Sequence, residues 1–329
     1  MEQTLVVSMG DANGVGPEIL LKAYSAGELR HRFFAIGDLS AMEKTKLEIP
    51  RLRGVTIHVM KSADDVQPDA LNLSDLGMLD ETGIIPGAVS GTVGAASIQY
   101  VQEAISAIRD GKAQALVTLP VCKESVQLSK PGFTGHTEFI AEFCGQDRYT
   151  MMLFSEKLTV THVSTHVSMR EAVAGLTGER VSDVITLTRD AMARFLGREP
   201  KIAVAGLNAH AGENGLFGRE EVDIIAPAVA SARDRGISVS GPYSPDTVFL
   251  RAIRGEFDAV VCMYHDQGHI PLKLLDFSGG VNVTLGLGIL RTSVDHGTAF
   301  DIAYKGAASA ESFVRAFDMA AAMAGGQIQ

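Results

Sequence analysis

Leu5-Val6-Val7-Ser8-Met9, then Gly10-Asp11-Ala12-Asn13-Gly14-Val15-Gly16, then Pro17-Glu18-Ile19-Leu20-Leu21-Lys22 open the chain. The first run is β-type and the second is rich in turn formers. The third begins with proline, whose fixed φ and missing N–H suit the first turn of a helix. The order is strand, loop, helix, and that rhythm continues. Buried-strand candidates recur at 33–37, 55–60, 115–118, 150–154, 158–164, 201–207 and 258–264. Helical periodicity fills 93–109, and amphipathic stretches lie at 138–144, 181–196 and 219–235. Strands alternating with helices call for an α/β architecture with a mostly parallel sheet. No internal repeat, low-complexity segment or flexible linker interrupts the pattern.

A length of 329 residues suits two domains, or one large unit with two lobes. The chain is 46% hydrophobic and 21% charged, which excludes disordered, collagen-like and coiled-coil classes. No apolar run approaches the ~18–20 residues that span a bilayer. Met1 to Gly10 has no basic start and no small-residue cleavage site, so a cytoplasmic protein is expected. The formal charge of −10 disfavours nucleic acid and anionic membrane as partners, although a local basic pocket can still take an anionic small molecule. Cys122, Cys144 and Cys262 form no CxxC pair, which argues against a disulfide framework or a cysteine-rich zinc site.

Three of the nine histidines share one context: His166, His210 and His265 each lie just beyond the end of a strand candidate. In open α/β sheets ligands bind at that edge. Three imidazoles brought there could form a facial site for a divalent metal, with Glu213 and Asp266 as orienting carboxylates. The plainer alternative is three surface or hydrogen-bonded loop histidines, and no local ligand motif such as HExxH decides between them. His31 and His58 lack this context, and His162 alternates within a strand and reads as packing. The loops nearby are polar and glycine-rich: Asn208 to Gly215, His265 to Gly268, and Thr134 to Glu138, where His136 and Thr137 offer donors at a helix start. Arg291 could take a carboxylate or phosphate as a fork, Asn282 a hydroxyl or amide, and Lys273 an anion. Gly286, Gly288 and Gly297 would allow close approach of a cofactor. GxGxxG, GK[ST] and GxSxG are all absent in the required context.

Gly10-Asp11-x-x-Gly14-x-Gly16-Pro17-Glu18, Thr134 to Glu138, Ser164-Thr165-His166, Gly206 to Glu213, Tyr264 to Gly268 and Arg291 to Ala299 occur in this order. Together they resemble the 4-hydroxythreonine-4-phosphate dehydrogenase family of vitamin B6 biosynthesis, nearly end to end. The resemblance implies a two-lobed α/β/α fold similar to isocitrate and isopropylmalate dehydrogenases, with a cleft between the lobes and NAD bound without the usual glycine fingerprint. The lobes are expected at 1–130 with 278–329, on the cofactor side, and at 131–277, with the metal ligands and a dimer interface.

It further implies His166, His210 and His265 as metal ligands, zinc first with magnesium or cobalt as substitutes. His136, Thr137, Lys273, Asn282 and Arg291 become substrate contacts. Gly286, Asn282 and Asp295 are assigned to NAD or NADP, and Lys273 and Asp246 to catalysis. The expected enzyme is a homodimeric NAD(P)-dependent oxidoreductase of class 1.1.1. It would oxidise and β-decarboxylate a 4-phosphorylated 3-hydroxy four-carbon acid. Motifs around His269 are more similar to a catabolic branch acting on D-threonate or D-erythronate 4-phosphate. Ala12 and Asn13, Ala209, and Gly288 depart from prolines and a small residue usual in the family, and each is expected to loosen its loop. The competing classes are a phosphate-ester-binding acyltransferase, a metal hydrolase and a non-catalytic metal-binding or sensor protein.

Overall fold

The computed structural model describes residues 3–62, 65–276 and 280–325. The chain divides into two compact units, Met1–Asp147 with Leu287–Ala324, and Arg148–Gly286 with Gly325–Gln329. Residues 131–147, expected in the second lobe, therefore fold with the first, and His136 and Thr137 go with them. Residues 280–286, expected in the first lobe, fold instead with the second, and Asn282 and Gly286 go with them.

The first unit carries β1 (Leu5–Ser8), β2 (Phe33–Gly37), β3 (Ile57–Val59), β4 (Leu71–Asp75), β5 (Ala115–Thr118) and β12 (Leu290–Ser293). Their order is β3-β4-β2-β1-β5-β12, and every pairing is parallel. Its helices are α1 (Gly16–Ser25), α2 (Leu39–Glu48), α3 (Gly91–Arg109), α4 (Lys123–Ser129), α5 (His136–Cys144) and α11 (Glu311–Gly325). Pro17 stands at the start of α1 as expected, and the Ser90 side chain accepts from Val93 N to cap α3. β1 and β5 are buried along their whole length, which is why they read as continuous apolar runs.

The second unit carries β6 (Thr150–Phe154), β7 (Thr159–His162), β8 (Ile202–Ala205), β9 (Val239–Tyr243), β10 (Ala259–Cys262) and β11 (Val281–Leu285). Their order is β11-β6-β7-β10-β8-β9. β7, β10, β8 and β9 run parallel, while β6 is antiparallel to both β7 and β11. Its helices are α6 (Met169–Ala174), α7 (Gly178–Leu196), α8 (Ala226–Asp234), α9 (Pro245–Ile253) and α10 (His265–Leu275). Val181, Val184 and Ile185 of α7 meet Val204, Val229 and Val261 in a fully buried cluster. Each such side chain contributes roughly 1.5–3 kcal/mol on burial. The α/β architecture is the one the alternation called for.

Three local readings need correction. The His265–Gly268 segment is the first turn of α10, not a loop. Residues 281–285 and 290–293, read as a polar glycine pattern, are strands. Asn13 does not loosen its loop: its Nδ2 donates to Ala88 O (2.8 Å) and its Oδ1 accepts from Ile85 N (2.8 Å). Gly288 sits at φ +73, which proline cannot adopt, so its loop follows a path closed to the usual family residue. Among the described residues, no helix is long and apolar enough to cross a membrane.

Candidate active site

β7, β10 and β8 are adjacent and parallel, so their C-terminal ends share one sheet edge. β7 leads to His166, β10 to His265 and β8 to His210. The His166 and His265 rings lie 5.8 Å apart, centre to centre. His265 Nδ1 is 2.7 Å from Asp266 Oδ1, a contact that fixes the ring and directs Nε2 away from the carboxylate. The same hydrogen bond is the main reason the Asp266 carboxyl is held below its usual range.

His269, one helical turn along α10, stacks on His265 with centres 3.5 Å apart and planes 12° from parallel. Its Nδ1–H donates to His265 O (3.0 Å). His162 lies beneath, 4.8 Å from His269 and 6.1 Å from His265. Its Nδ1–H donates to Met151 O, while its buried Nε2 has no partner among the described residues. Burial, reinforced by the neighbouring imidazoles, pulls its pKa down to about 3 and keeps the ring neutral. From the sequence alone His162 reads as packing only. The available signal is the i,i+4 spacing of His265 and His269, which pairs them once that segment is recognised as helix.

His210 sits on the turn Ala209–Gly215, where His210, Ala211, Glu213 and Asn214 all have φ between 44 and 57°. Left-handed backbone costs roughly 1–2 kcal/mol for each such residue. Glu221, only 2% exposed, anchors the segment leading into this turn. Its Oε1 accepts from Leu207 N and Asn208 N, both at 2.7 Å, and its Oε2 from Asn208 Nδ2 at 2.9 Å. Glu221 also opens a π-helical turn, Glu221–Ile225, a feature frequent near functional sites. The His210 ring packs against Phe217 (6.3 Å). Among the described residues, no three His, Cys, Asp or Glu side chains converge closely enough to hold a metal ion. The expected three-ring set is thus not assembled within this chain: His166 and His265 are neighbours, and His210 does not complete the group. Glu213 is exposed and bonds no histidine among the described residues.

A cavity of about 260 Å³ borders the histidine pair, lined by Ser164, Thr165, His166, Tyr264, His265 and Asp266 among others. Lys273 lies half-buried on α10. Asn282, on β11, has a buried Oδ1 without a partner among the described residues, as expected of a group awaiting a ligand donor. Asp246 is exposed and accepts from Ser244 Oγ (2.6 Å). That bond, with a smaller pull from His210, lowers its pKa. Gly286 has φ +88, and a Cβ there would strike the Arg148 carbonyl, so close packing within the unit already accounts for it.

In the first unit, Arg291 is 3% exposed. Its Nε and Nη2 both donate to Thr118 Oγ1 (3.2 and 2.8 Å), and its Nη1 donates to Thr137 Oγ1 (3.2 Å). Burial lowers its pKa to about 10, partly offset by Glu138. His136 opens α5 beside it, and its Nε2 is buried without a partner among the described residues. Burial first, then Arg291 and Lys123, draw its pKa down to about 3. Asp295 is half-buried, and its N–H donates to Ser312 Oγ (3.2 Å).

Residues 29–320 match the family described as pyridoxal phosphate biosynthetic protein PdxA. The chain is 44% identical to the 4-hydroxythreonine-4-phosphate dehydrogenase of Geobacter metallireducens, covering 97% of this chain and 95% of that protein. It is 41% identical to the D-threonate 4-phosphate dehydrogenase of Pectobacterium atrosepticum, covering 98% and 100%. The crystal structure of 4-hydroxythreonine-4-phosphate dehydrogenase from Klebsiella pneumoniae superposes with a TM-score of 0.90 at 38% identity, covering 98% of this chain and 100% of that one.

Proposed function

The chain belongs to the PdxA family of dehydrogenases, and on that premise we propose that it carries out NAD- or NADP-linked oxidation of a 4-phosphorylated 3-hydroxy four-carbon acid, followed by β-decarboxylation. The observation that carries this reading is the buried Arg291 fork with the orphan His136 Nε2 beside it, a donor set built for an oxyanion. The substrate is 4-phosphooxy-L-threonine or D-threonate or D-erythronate 4-phosphate.

In this proposal Arg291, Thr137 and His136 bind the phosphate, and His136 donates as a neutral ring. Asn282 Oδ1 accepts from a substrate hydroxyl or amino group, and Lys273 offsets the carboxylate. Asp266 holds His265 in one orientation. The nicotinamide, when bound, supplies the hydride acceptor. Oxidation at C3 leaves a 3-keto acid, which loses carbon dioxide because the electrons released delocalise onto the ketone oxygen. Asp246, exposed and bonded to Ser244 Oγ, is proposed with Lys273 as a catalytic group. Gly286, Asn282 and Asp295 remain the residues assigned to the cofactor.

A divalent cation, zinc first, is proposed on His166, His265 and His210. The described residues bring together two of those rings and not the third, so no step is derived through the cation. Exposed Val167, Met169 and Val173, near His166, support a homodimer contact there. The test incubates the purified protein with zinc or magnesium, NAD or NADP, and a panel of phosphorylated four-carbon acids. Absorbance of the reduced nicotinamide should rise with at least one acid, and the preferred acid assigns the branch. Phosphate release without nicotinamide reduction would instead identify a hydrolase, and acyl transfer an acyltransferase.

A further inference from the structure

Lys123 is the first residue of α4, and its exposed side chain reaches toward the start of α5. A Cβ built on Gly135 would lie 4.0 Å from Lys123 Nζ and 2.9 Å from Glu138 Oε2, which places the ammonium over the turn that presents His136 and Thr137. Lys123 makes no hydrogen bond or ion pair among the described residues. Its charge is nonetheless felt by His136, alongside that of Arg291. Two cations therefore flank one orphan ring nitrogen, with Glu138 as the nearby carboxylate. His136 is the first residue of α5, a nine-residue helix whose start has no side-chain cap.

We propose that Lys123 is a further substrate-binding residue, the open arm of a phosphoryl site whose closed side is Arg291, Thr137 and His136. A carboxylate offers two oxygens in one plane, which the Arg291 fork alone can satisfy. A phosphoryl group offers three oxygens in different directions. The cluster offers donors from three separate groups, the Arg291 guanidinium, His136 Nε2 and the exposed Lys123 ammonium. Arg291 and Lys123 against Glu138 leave an excess of positive charge that a phosphate dianion fills better than a carboxylate does. This inference rests on the proposed function for the identity of the substrate, and on geometry alone for the phosphoryl site.

The test measures binding of inorganic phosphate, by thermal shift and by competition against the phosphorylated acid, in the full-length protein. Lys123→Met should weaken phosphate binding about tenfold, and Lys123→Arg should restore it to within about threefold. Acetate, the carboxylate control, should bind poorly to wild type and respond little to Lys123→Met. The KM for the phosphorylated acid should rise with the phosphate dissociation constant, while kcat changes by less than about threefold. Unchanged phosphate binding in Lys123→Met, or a wild-type protein that binds no phosphate, overturns the inference. An equal loss of acetate and phosphate binding also overturns it in favour of a general anion effect. Phosphate binding that depends on Lys123, in a protein that oxidises none of the acids, supports the site and refutes the proposed function instead.

Discussion

Replacing Arg291 with lysine keeps a positive charge and removes the planar fork. The wild-type guanidinium donates twice to Thr118 Oγ1 and once to Thr137 Oγ1, among its bonds. An ammonium on a shorter, round-ended stem can keep one of them. Hydrogen bonds to charged groups are worth about 1.5–3 kcal/mol each, and at 3% exposure water does not replace those lost. Part of that loss falls on folding and part on the substrate. If about 2 kcal/mol falls on the substrate's anionic group, KM rises about 30-fold. Thr118→Val provides the control. It preserves shape, removes the acceptor of two of the bonds, and should raise KM only about fivefold, by leaving the guanidinium less firmly aimed. Initial rates of nicotinamide reduction against substrate concentration read both variants, and thermal melts confirm that each is folded. A KM for Arg291→Lys within about threefold of wild type would refute the reasoning, as would a fall confined to kcat.

Glu221→Gln should destabilise the chain by about 2 kcal/mol in urea unfolding, because its new amide donor faces the Asn208 amide that Glu221 now accepts from. Activity should fall with it through the His210 turn, and a loss under about 0.5 kcal/mol would contradict the anchoring role. Asp11 is fully buried, and burial raises its pKa to about 6 from 3.8. The folded state therefore holds this proton more tightly than the unfolded chain. The resulting stability is present in full below about pH 4 and is lost as pH rises through about 6, a difference of about 3 kcal/mol at 1.36 per pKa unit. Asp11→Asn, which keeps the acceptor for Asn13 N, should flatten that slope in chemical unfolding between pH 4 and 7. An unchanged slope would show that Asp11 does not carry it.

The parts of the fold written in local apolar runs were legible. β1, β5, β8 and β10 are buried at every position and announce themselves as such. β4, β9, β11 and β12 were missed because Asn, Ser, Thr, Arg, Gly and Pro interrupt their apolar runs. In β12 one of those interruptions is Arg291, whose charged side chain disguises the strand that positions it. The histidines at the strand ends were legible as a shared edge. Their distances were not, since those depend on how each loop turns after its strand. His210 is the clearest case, because a run of left-handed, mostly non-glycine residues is what no propensity predicts. His162 and Lys123 escape a sequence reading for opposite reasons: His162 is hidden in a strand, whereas Lys123 has the context of an ordinary surface lysine.

The most direct test follows a single incubation with the preferred phosphorylated acid and counts two products, reduced nicotinamide and carbon dioxide. The account predicts that they appear in equal amounts, and that both fall together in Arg291→Lys. Reduced nicotinamide with no carbon dioxide, or free phosphate with neither, would contradict it.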